Sequence, residues 1–391
     1  MSIEASVDKM KILIVQRELT HYRIPVFLQL ACTNNVQVLF SRYESKGAAD
    51  KARDLPYGLT QKVWGFFPAR RYPYVCYIST IGRILSERPE VIIHEFSLSI
   101  LNTYLMPLVA RLIGSRLIWW SHGYNRVDKQ RERALITRLR VWLHRTASAC
   151  IVYSEGGKAF LIERGMPDEK VFVAWNAIDT HSLDLARKKL ELSAGADNLS
   201  SAAPGELDFV FLGRMVPDKR PLVAAEAFRK CVLEHHLEHV RLHFIGTGTE
   251  EKRVRDLCKE LEGSGRIFFH DEVTDEQQLA AILSTCSIMM NPGYLGLNVV
   301  HALAFNLPII APVDGAAGIH HSPEYEYLKG SKAFIPVQDP SAEGFAEACL
   351  QLAGDPERLR GAREAATSSY RQISLDRMLE GIKAAIQFVC R

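Results

Sequence analysis

Arg214 and Lys219 sit within FLGRMVPDKRP (211–221), directly after an alternating apolar run and directly before a stretch of helical pattern. LDFVFLG (207–213) reads as a buried strand, and Pro217 and Pro221 stand where the chain leaves it and enters a helix. A helix start offers free N–H groups and a positive dipole end. An Arg that forks two oxygens and a Lys acting as a point charge make that turn fit for two adjacent phosphates. Read alone, the pair fits solvated surface charge equally well. A second candidate is His122 in WWSHGYN (119–125), at the end of the strand-like SRLIWW, where the ring reaches the sheet edge beside a close-approach glycine. A His satisfied within the core is the plainer alternative. A third is the turn in QRELTHYRIPVF (16–27), whose Glu18 or His21 can handle an acceptor proton, with Tyr22 and Arg23 beside them. Capping and surface roles fit each of these equally well.

These residues need elements to hold them. RLHFIGTGTEEKRVRDLCKEL (241–261) reads as strand, turn with Gly246 and Gly248, and charged helix. RIFFHDEV (266–273) reads as strand and DEQQLAAILSTC (275–286) as helix; SIMMNPGYLGLNVVHALAFNLPIIAPV (287–313) reads as strand, glycine loop, helix and strand. Such alternation marks a parallel sheet covered on both faces, with ligands at the carboxyl ends of the strands, where all these glycine loops fall. A nucleotide suits that edge.

At 391 residues the chain has room for two domains, and 47% hydrophobic with 24% charged residues is ordinary globular composition. The eight cysteines form no Cys-x-x-Cys pair, which argues against zinc or a disulfide framework and for a reducing compartment. MSIEASVDKM lacks a signal-peptide layout, and FSLSILNTYLMPLVA (96–110) is too short to span a bilayer. The expected location is cytoplasmic, at or near the cytoplasmic face of a membrane. Residues 1–182 are net basic and the remainder net acidic, so the halves should have different partners. No nucleic-acid-reading module is visible in the basic half, where an anionic bilayer or anionic lipid-linked acceptor fits better. Linker composition at 186–206 separates a domain over 1–185 from one over 207–374.

GRMVPDKRP, IGTGTEE, FFHDEVTDEQQLAAIL and NPGYLGLNVVHALAFNLPIIA, in that order, resemble the nucleotide-sugar half of a GT-B glycosyltransferase of retaining family four. KILIVQRELTHYRIPVFLQLA (11–31), WWSHGYN and IVYSEGGKAFLIERGMPDEKVFVAWNAID (151–179) resemble the other half. The resemblance implies an α/β fold of two Rossmann-like, doubly wound domains facing a cleft, with the terminal helix (375–391) crossing back to the first. It implies a hexosyltransferase using a UDP- or GDP-linked sugar without metal or other cofactor. Arg214, Lys219, Gly296, Leu297 and Asn298 would hold the diphosphate, and His301, Gly246, Gly248, Glu272 and Val273 the nucleoside. Gly293, Glu324 and Glu326 would border the donor sugar, and His122 would orient it. The chain departs from the family in two places. The first loop carries side chains where many members have glycines. The family's two glutamates, eight positions apart, fall here on Gly293 and His301, so His301 is expected to serve the ribose.

FFPARRYPYVCY (66–77) and RERALITRLRVWLHRTA (131–147) mix aromatic or leucine residues with arginines, which makes peripheral membrane contact an expectation. The expected acceptor is a glycan or lipid-linked glycan of a cell-surface polysaccharide or glycolipid. Three alternatives stay open: a GT-B sugar-nucleotide epimerase, an inactive nucleotide-binding relative, and, weakly, a nicotinamide-dependent Rossmann enzyme, which the missing Gly-x-Gly-x-x-Gly turn disfavours.

Overall fold

The structure, a computed structural model, describes residues 10–43, 58–60, 63–66, 74–124, 134–194 and 207–391. It divides into two compact units, one of residues up to Ile178 together with Leu375–Arg391, the other Asp179–Ser374.

The first unit begins with β1 (Lys11–Val15), whose residues beyond Lys11 are all buried. Ile12 and Ile14 pack with Phe27 and Trp120 on one face of the sheet, while Leu13 and Val15 pack with Met106 and Trp119 on the other. Burial on both faces is what a parallel strand between two helical layers requires. The chain continues through α1 (Ile24–Thr33), β2 (Asn35–Phe40), β3 (Gly58–Thr60), α2 (Ile78–Glu87), β4 (Val91–Glu95), α3 (Asn102–Ile113) and β5 (Arg116–Ser121). It then runs through α4 (Ala134–Arg145), β6 (Ala149–Val152), α5 (Glu155–Ile162) and β7 (Val171–Val173). The seven strands lie parallel in the order β3-β2-β1-β4-β5-β6-β7. Strand order reverses between β1 and β4, and the loops leaving these two strands open a crevice there.

The second unit repeats the plan. Its elements are α6 (Thr180–Ala194), β8 (Leu207–Leu212), α7 (Pro221–Arg229), β9 (Val240–Ile245), α8 (Glu251–Glu262), β10 (Ile267–His270), α9 (Glu276–Thr285) and β11 (Ile288–Met290). They are followed by α10 (Asn298–Ala304), β12 (Ile309–Pro312), β13 (Phe334–Val337), α11 (Ala342–Ala353) and α12 (Pro356–Tyr370). The parallel order is β10-β9-β8-β11-β12-β13. The switch point lies between β8 and β11, so the loops at 213–219 and 291–297 meet by topology alone. These are the loops carrying the candidate cations and glycines.

The linker expected to begin at 186 is corrected. Residues 186–194 continue α6, because ARKKLELSA consists almost wholly of good helix formers, and the Tyr370 hydroxyl donates to Asp184 at 2.9 Å. Residues 195–206 lie outside the described residues. The last helix, α13 (Leu375–Val389), belongs to the first unit and buries Leu375, Met378, Leu379, Ile382 and Ile386. Gly381 lies against the backbone of Val173 and Ala174, and a side chain there would hold the helix off β7.

His94 and His144 are completely buried in the first unit. Burial pushes His94 down to about 4 and His144 down to about 3. The unfolded chain, with histidines near pH 6.5, therefore takes up protons that the folded chain refuses. Their contribution is intact above that pH and shrinks as pH falls towards the folded values, by about 1.4 kcal/mol per pH unit for each histidine. Thermal unfolding should occur at clearly lower temperature at pH 5 than at pH 7.5; equal melting temperatures would contradict this.

Candidate functional site

In the second unit β8 ends at Leu212, and the chain turns through a 3-10 helix, Pro217–Lys219, into α7. Arg214 is exposed, whereas Lys219 is buried. Lys219 Nζ donates to the Tyr294 carbonyl at 2.8 Å and lies 3.6 Å from the centre of the Tyr294 ring. The lysine of one strand-end loop thus grips the other, 75 residues away in sequence.

Glycines let the loops come so close. A Cβ on Gly293 would fall 2.5 Å from both the Asp218 carbonyl oxygen and Lys219 Cα. Position 293 therefore has no room for the glutamate expected from the family, and its Cα faces the neighbouring loop. Gly246, with φ of +120°, lies against the backbone of Gly213, and Gly248 against that of Met215. Both brace the first loop from behind, where Met215 N–H donates to the Thr247 carbonyl at 2.8 Å. Glu272 and Val273 follow β10 on an exposed to half-buried loop.

The loop at 291–298 is held mostly by neutral groups. Asn298 Nδ2 donates to the Leu212 carbonyl (3.1 Å) and to Asn291 Oδ1 (3.0 Å), while its Oδ1 accepts from Gly296 N–H (3.1 Å). Gly296 N–H is thereby used internally, which corrects its expected role as a phosphate donor. The N–H groups of Leu297 and Asn298 stand at the start of α10, where a helix has no intrahelical acceptors for them. His321 fixes the outer side. Its Nε2–H donates to the Pro312 carbonyl (2.8 Å), and its Nδ1 accepts from Leu295 N–H (3.0 Å). Burial lowers its pKa, so the neutral tautomer that can do both persists.

His301 is half-buried on α10, with Nε2 3.9 Å from Glu276 Oε2 at the start of α9. A carboxylate from a neighbouring helix thus stands beside position 301. Glu324 is buried in the 3-10 helix Pro323–Leu328, and Glu326 lies 3.8 Å from Lys329 Nζ. Among the described residues one group places three metal-ligating atoms within 4.8 Å of one another, the exposed Glu234, His235 and Glu343. Lys230 Nζ reaches Glu343 at 2.9 Å and Glu234 at 3.3 Å, and none of these residues belongs to the two loops.

In the first unit, His122 follows β5 on a loop pinned from below. His144 Nδ1–H donates to the Arg140 carbonyl (2.7 Å), leaving Nε2 to accept from the Ser121 hydroxyl (2.9 Å), which accepts in turn from Gly123 N–H (2.9 Å). Gly123, with φ of +80°, meets Gly157 of α5 backbone to backbone, where a Cβ would fall 2.6 Å from the Gly157 carbonyl oxygen. The His122 ring packs on Tyr153, centres 4.8 Å apart. The Tyr153 hydroxyl accepts from Arg23 Nη2 at 2.8 Å, so the first loop and the His122 loop are joined through one phenol. Arg23 is buried over Trp120 (4.5 Å) and Tyr153 (5.0 Å). Burial lowers its pKa, but the Tyr153 and Tyr22 hydroxyls raise it on balance, so the guanidinium stays charged. His21 lies in the same short helix as Arg23, and Glu18 in a two-residue strand paired with Arg42–Tyr43.

Sequence reasoning passed over Tyr153, His144, His321 and Glu276. Tyr153 and Gly157 carried a signal, since IVYSEGG is an apolar run ending at the Ser154 helix cap. His321 and Glu276 carried none, since their partners lie on other elements. Of the two basic aromatic stretches, Arg70, Arg71 and Arg131 lie outside the described residues.

Two nucleotide-binding-type α/β units with such loops at their switch points define a GT-B protein. The pattern of the family described as Glycosyl transferases group 1 matches residues 206–355, and that of Glycosyltransferase Family 4 matches residues 34–182. The chain belongs to the group 1 GT-B glycosyltransferases and is a nucleotide-sugar-dependent enzyme. HepE from Anabaena, solved in complex with UDP and glucose, is similar in fold: 13% identity over 97% of this chain and 99% of that one, TM-score 0.67. A glycosyltransferase from Rickettsia africae aligns at 14% identity over 98% and 99%, TM-score 0.68. A putative UDP-N-acetylglucosamine 2-epimerase from Listeria monocytogenes aligns at 14% identity over 97% of each chain, TM-score 0.63. Among curated proteins no sequence matches the chain.

The packing at Gly293 makes a counterintuitive prediction. Gly293→Glu, which restores the residue usual in the family, should weaken nucleotide binding at least tenfold, and Gly293→Ala should weaken it less, with the circular dichroism of both unchanged. Equal or tighter binding by Gly293→Glu would show that the two loops do not need this contact.

Proposed function

We propose that the protein transfers a sugar from a UDP- or GDP-linked donor, with retention of anomeric configuration, to a glycan or lipid-linked acceptor. Its product would enter a cell-surface polysaccharide or glycolipid. One observation carries the reading: at the switch point of the second unit Lys219 Nζ ties the loop after β8, which also carries Arg214, to the loop that leads into α10. As the sugar–phosphate bond breaks, negative charge grows on the departing diphosphate. A guanidinium, an ammonium held by Tyr294 and helix-start N–H groups stabilise that charge where it develops, usually the largest part of catalysis. The UDP bound to HepE supports uridine as the nucleoside.

His301 and Glu276 are the proposed ribose end. A carboxylate accepts from ribose hydroxyls, and an imidazole beside it either donates or accepts. Glu324 and Glu326 border the loop at which the donor sugar would sit. On the acceptor side His122, oriented by Tyr153, contacts the sugar, and Glu18 or His21 receives the acceptor proton. Because fixed cations take up the leaving-group charge, no metal has a part in this scheme.

Incubation with a panel of UDP- and GDP-sugars, followed by proton NMR, tests the reading through slow release of free sugar and nucleotide. Interconversion of the UDP-sugar without hydrolysis would identify an epimerase, and binding without turnover an inactive relative. Lys219→Ala and Arg214→Ala should each lower turnover at least tenfold, on the order of one charge-assisted hydrogen bond. Normal kinetics in both would end the assignment. Turnover should persist in excess EDTA; loss that added metal reverses would contradict the scheme. By calorimetry, His301→Ala and Glu276→Gln should each weaken UDP binding several-fold, and unchanged affinity in both would remove the ribose role.

A further inference from the structure

Two helices of the first unit carry apolar residues on the side that faces solvent. On α3, Leu105, Leu108 and Leu112 are exposed, at 48%, 67% and 73% of their surface, while Met106 and Ala110 face the core. On α4, Leu135, Leu139 and Trp142 are exposed, at 76%, 38% and 60%, while Val141 and Leu143 are buried. The spacings are helical, so each helix presents a continuous outer stripe besides its core stripe. The helices adjoin: a groove of about 660 Å³ is lined by Tyr104, Leu108 and Arg111 on one side and Trp142 on the other. Core-covering helices do not have such a second stripe, and contiguous apolar surface of this kind marks a docking face.

The charges around the stripes select the partner. Neither helix contains an Asp or Glu. Arg111, Arg138 and Arg145 are exposed on them, and exposed Arg116 adds to the groove wall. Leucines with a tryptophan at half depth and arginines at the rim match the acyl–headgroup boundary of an anionic bilayer, where tryptophan prefers to sit and each cation gains from the negative surface. No helix among the described residues is long and apolar enough to cross a membrane.

We infer that the outer face of α3 and α4 docks the protein onto an anionic lipid surface. This deepens the reading of a lipid-linked acceptor, since it places the first unit where such an acceptor resides. Sedimentation with vesicles of phosphatidylcholine, with and without phosphatidylglycerol, tests it independently of turnover. The wild type should bind the anionic vesicles at least tenfold better, with a blue shift in tryptophan emission, and the difference should shrink in high salt. Leu108→Glu with Trp142→Glu should abolish binding, and Arg111→Ala with Arg138→Ala should remove only the preference for anionic lipid. Donor hydrolysis in solution should be unchanged in both double variants. Absence of vesicle binding, equal binding by the Leu108/Trp142 variant, or a dimer in light scattering that this variant dissociates would overturn the inference. The dimer result would assign the face to a second copy of the chain. Vesicle binding without any donor turnover would instead count against the enzymatic reading alone.

Discussion

Gly293 lies flat against the backbone of Asp218 and Lys219, and from this contact the arrangement of the second unit follows. Parallel strands β8 and β11 are neighbours in the sheet, so the loops leaving them emerge side by side. Two loops of ordinary residues would be held apart by their side chains. With glycine at 293 they close to backbone contact, and Lys219 can then reach the Tyr294 carbonyl while its methylenes are buried. The ammonium is thus fixed at the sheet edge by a carbonyl and an aromatic face, a geometry that desolvation strengthens.

The same logic explains how the site dispenses with the paired carboxylates usual in its family. A glutamate at 293 is sterically excluded, and the loop is held by neutral groups, namely the amides of Asn291 and Asn298 and the imidazole of His321. Neutral hydrogen bonds hold the loop without placing extra negative charge at the sheet edge. At the other end of the loop, Glu276 stands beside His301, so a carboxylate remains there although it comes from another helix. The first unit relies on similar economy of charge. Arg23 has no carboxylate partner among the described residues and is held by a phenol, an amide oxygen and ring faces.

Much of this architecture was legible in the chain. Alternating apolar runs and helical stretches marked the parallel sheet of the second unit, the resemblance implied that of the first, and FLGRMVPDKRP located the cations at a strand-to-helix turn. Residues 186–194 misled because Ala, Ser and Gly farther along suggested a linker, while the local run of Ala, Leu, Lys and Glu is helical. Gly293, Gly246 and Gly248 were recognisable as turn residues, but what each one allows depends on a loop 30 to 80 positions away. The partners of Lys219, His301 and Arg23 were illegible for the same reason: pairing across strands leaves no spacing in sequence. The leucines of α4 were readable as a stripe, yet only the buried Val141 and Leu143 behind them show that the stripe faces outward.

Hydrogen–deuterium exchange of the wild-type protein with and without UDP and GDP tests the central claim most directly, that a nucleotide diphosphate sits between the two strand-end loops of the second unit. The account predicts slower exchange in both 213–220 and 291–301 on binding, including the Leu297 and Asn298 amides. Protection of only one loop, or of neither with either nucleotide, would contradict it.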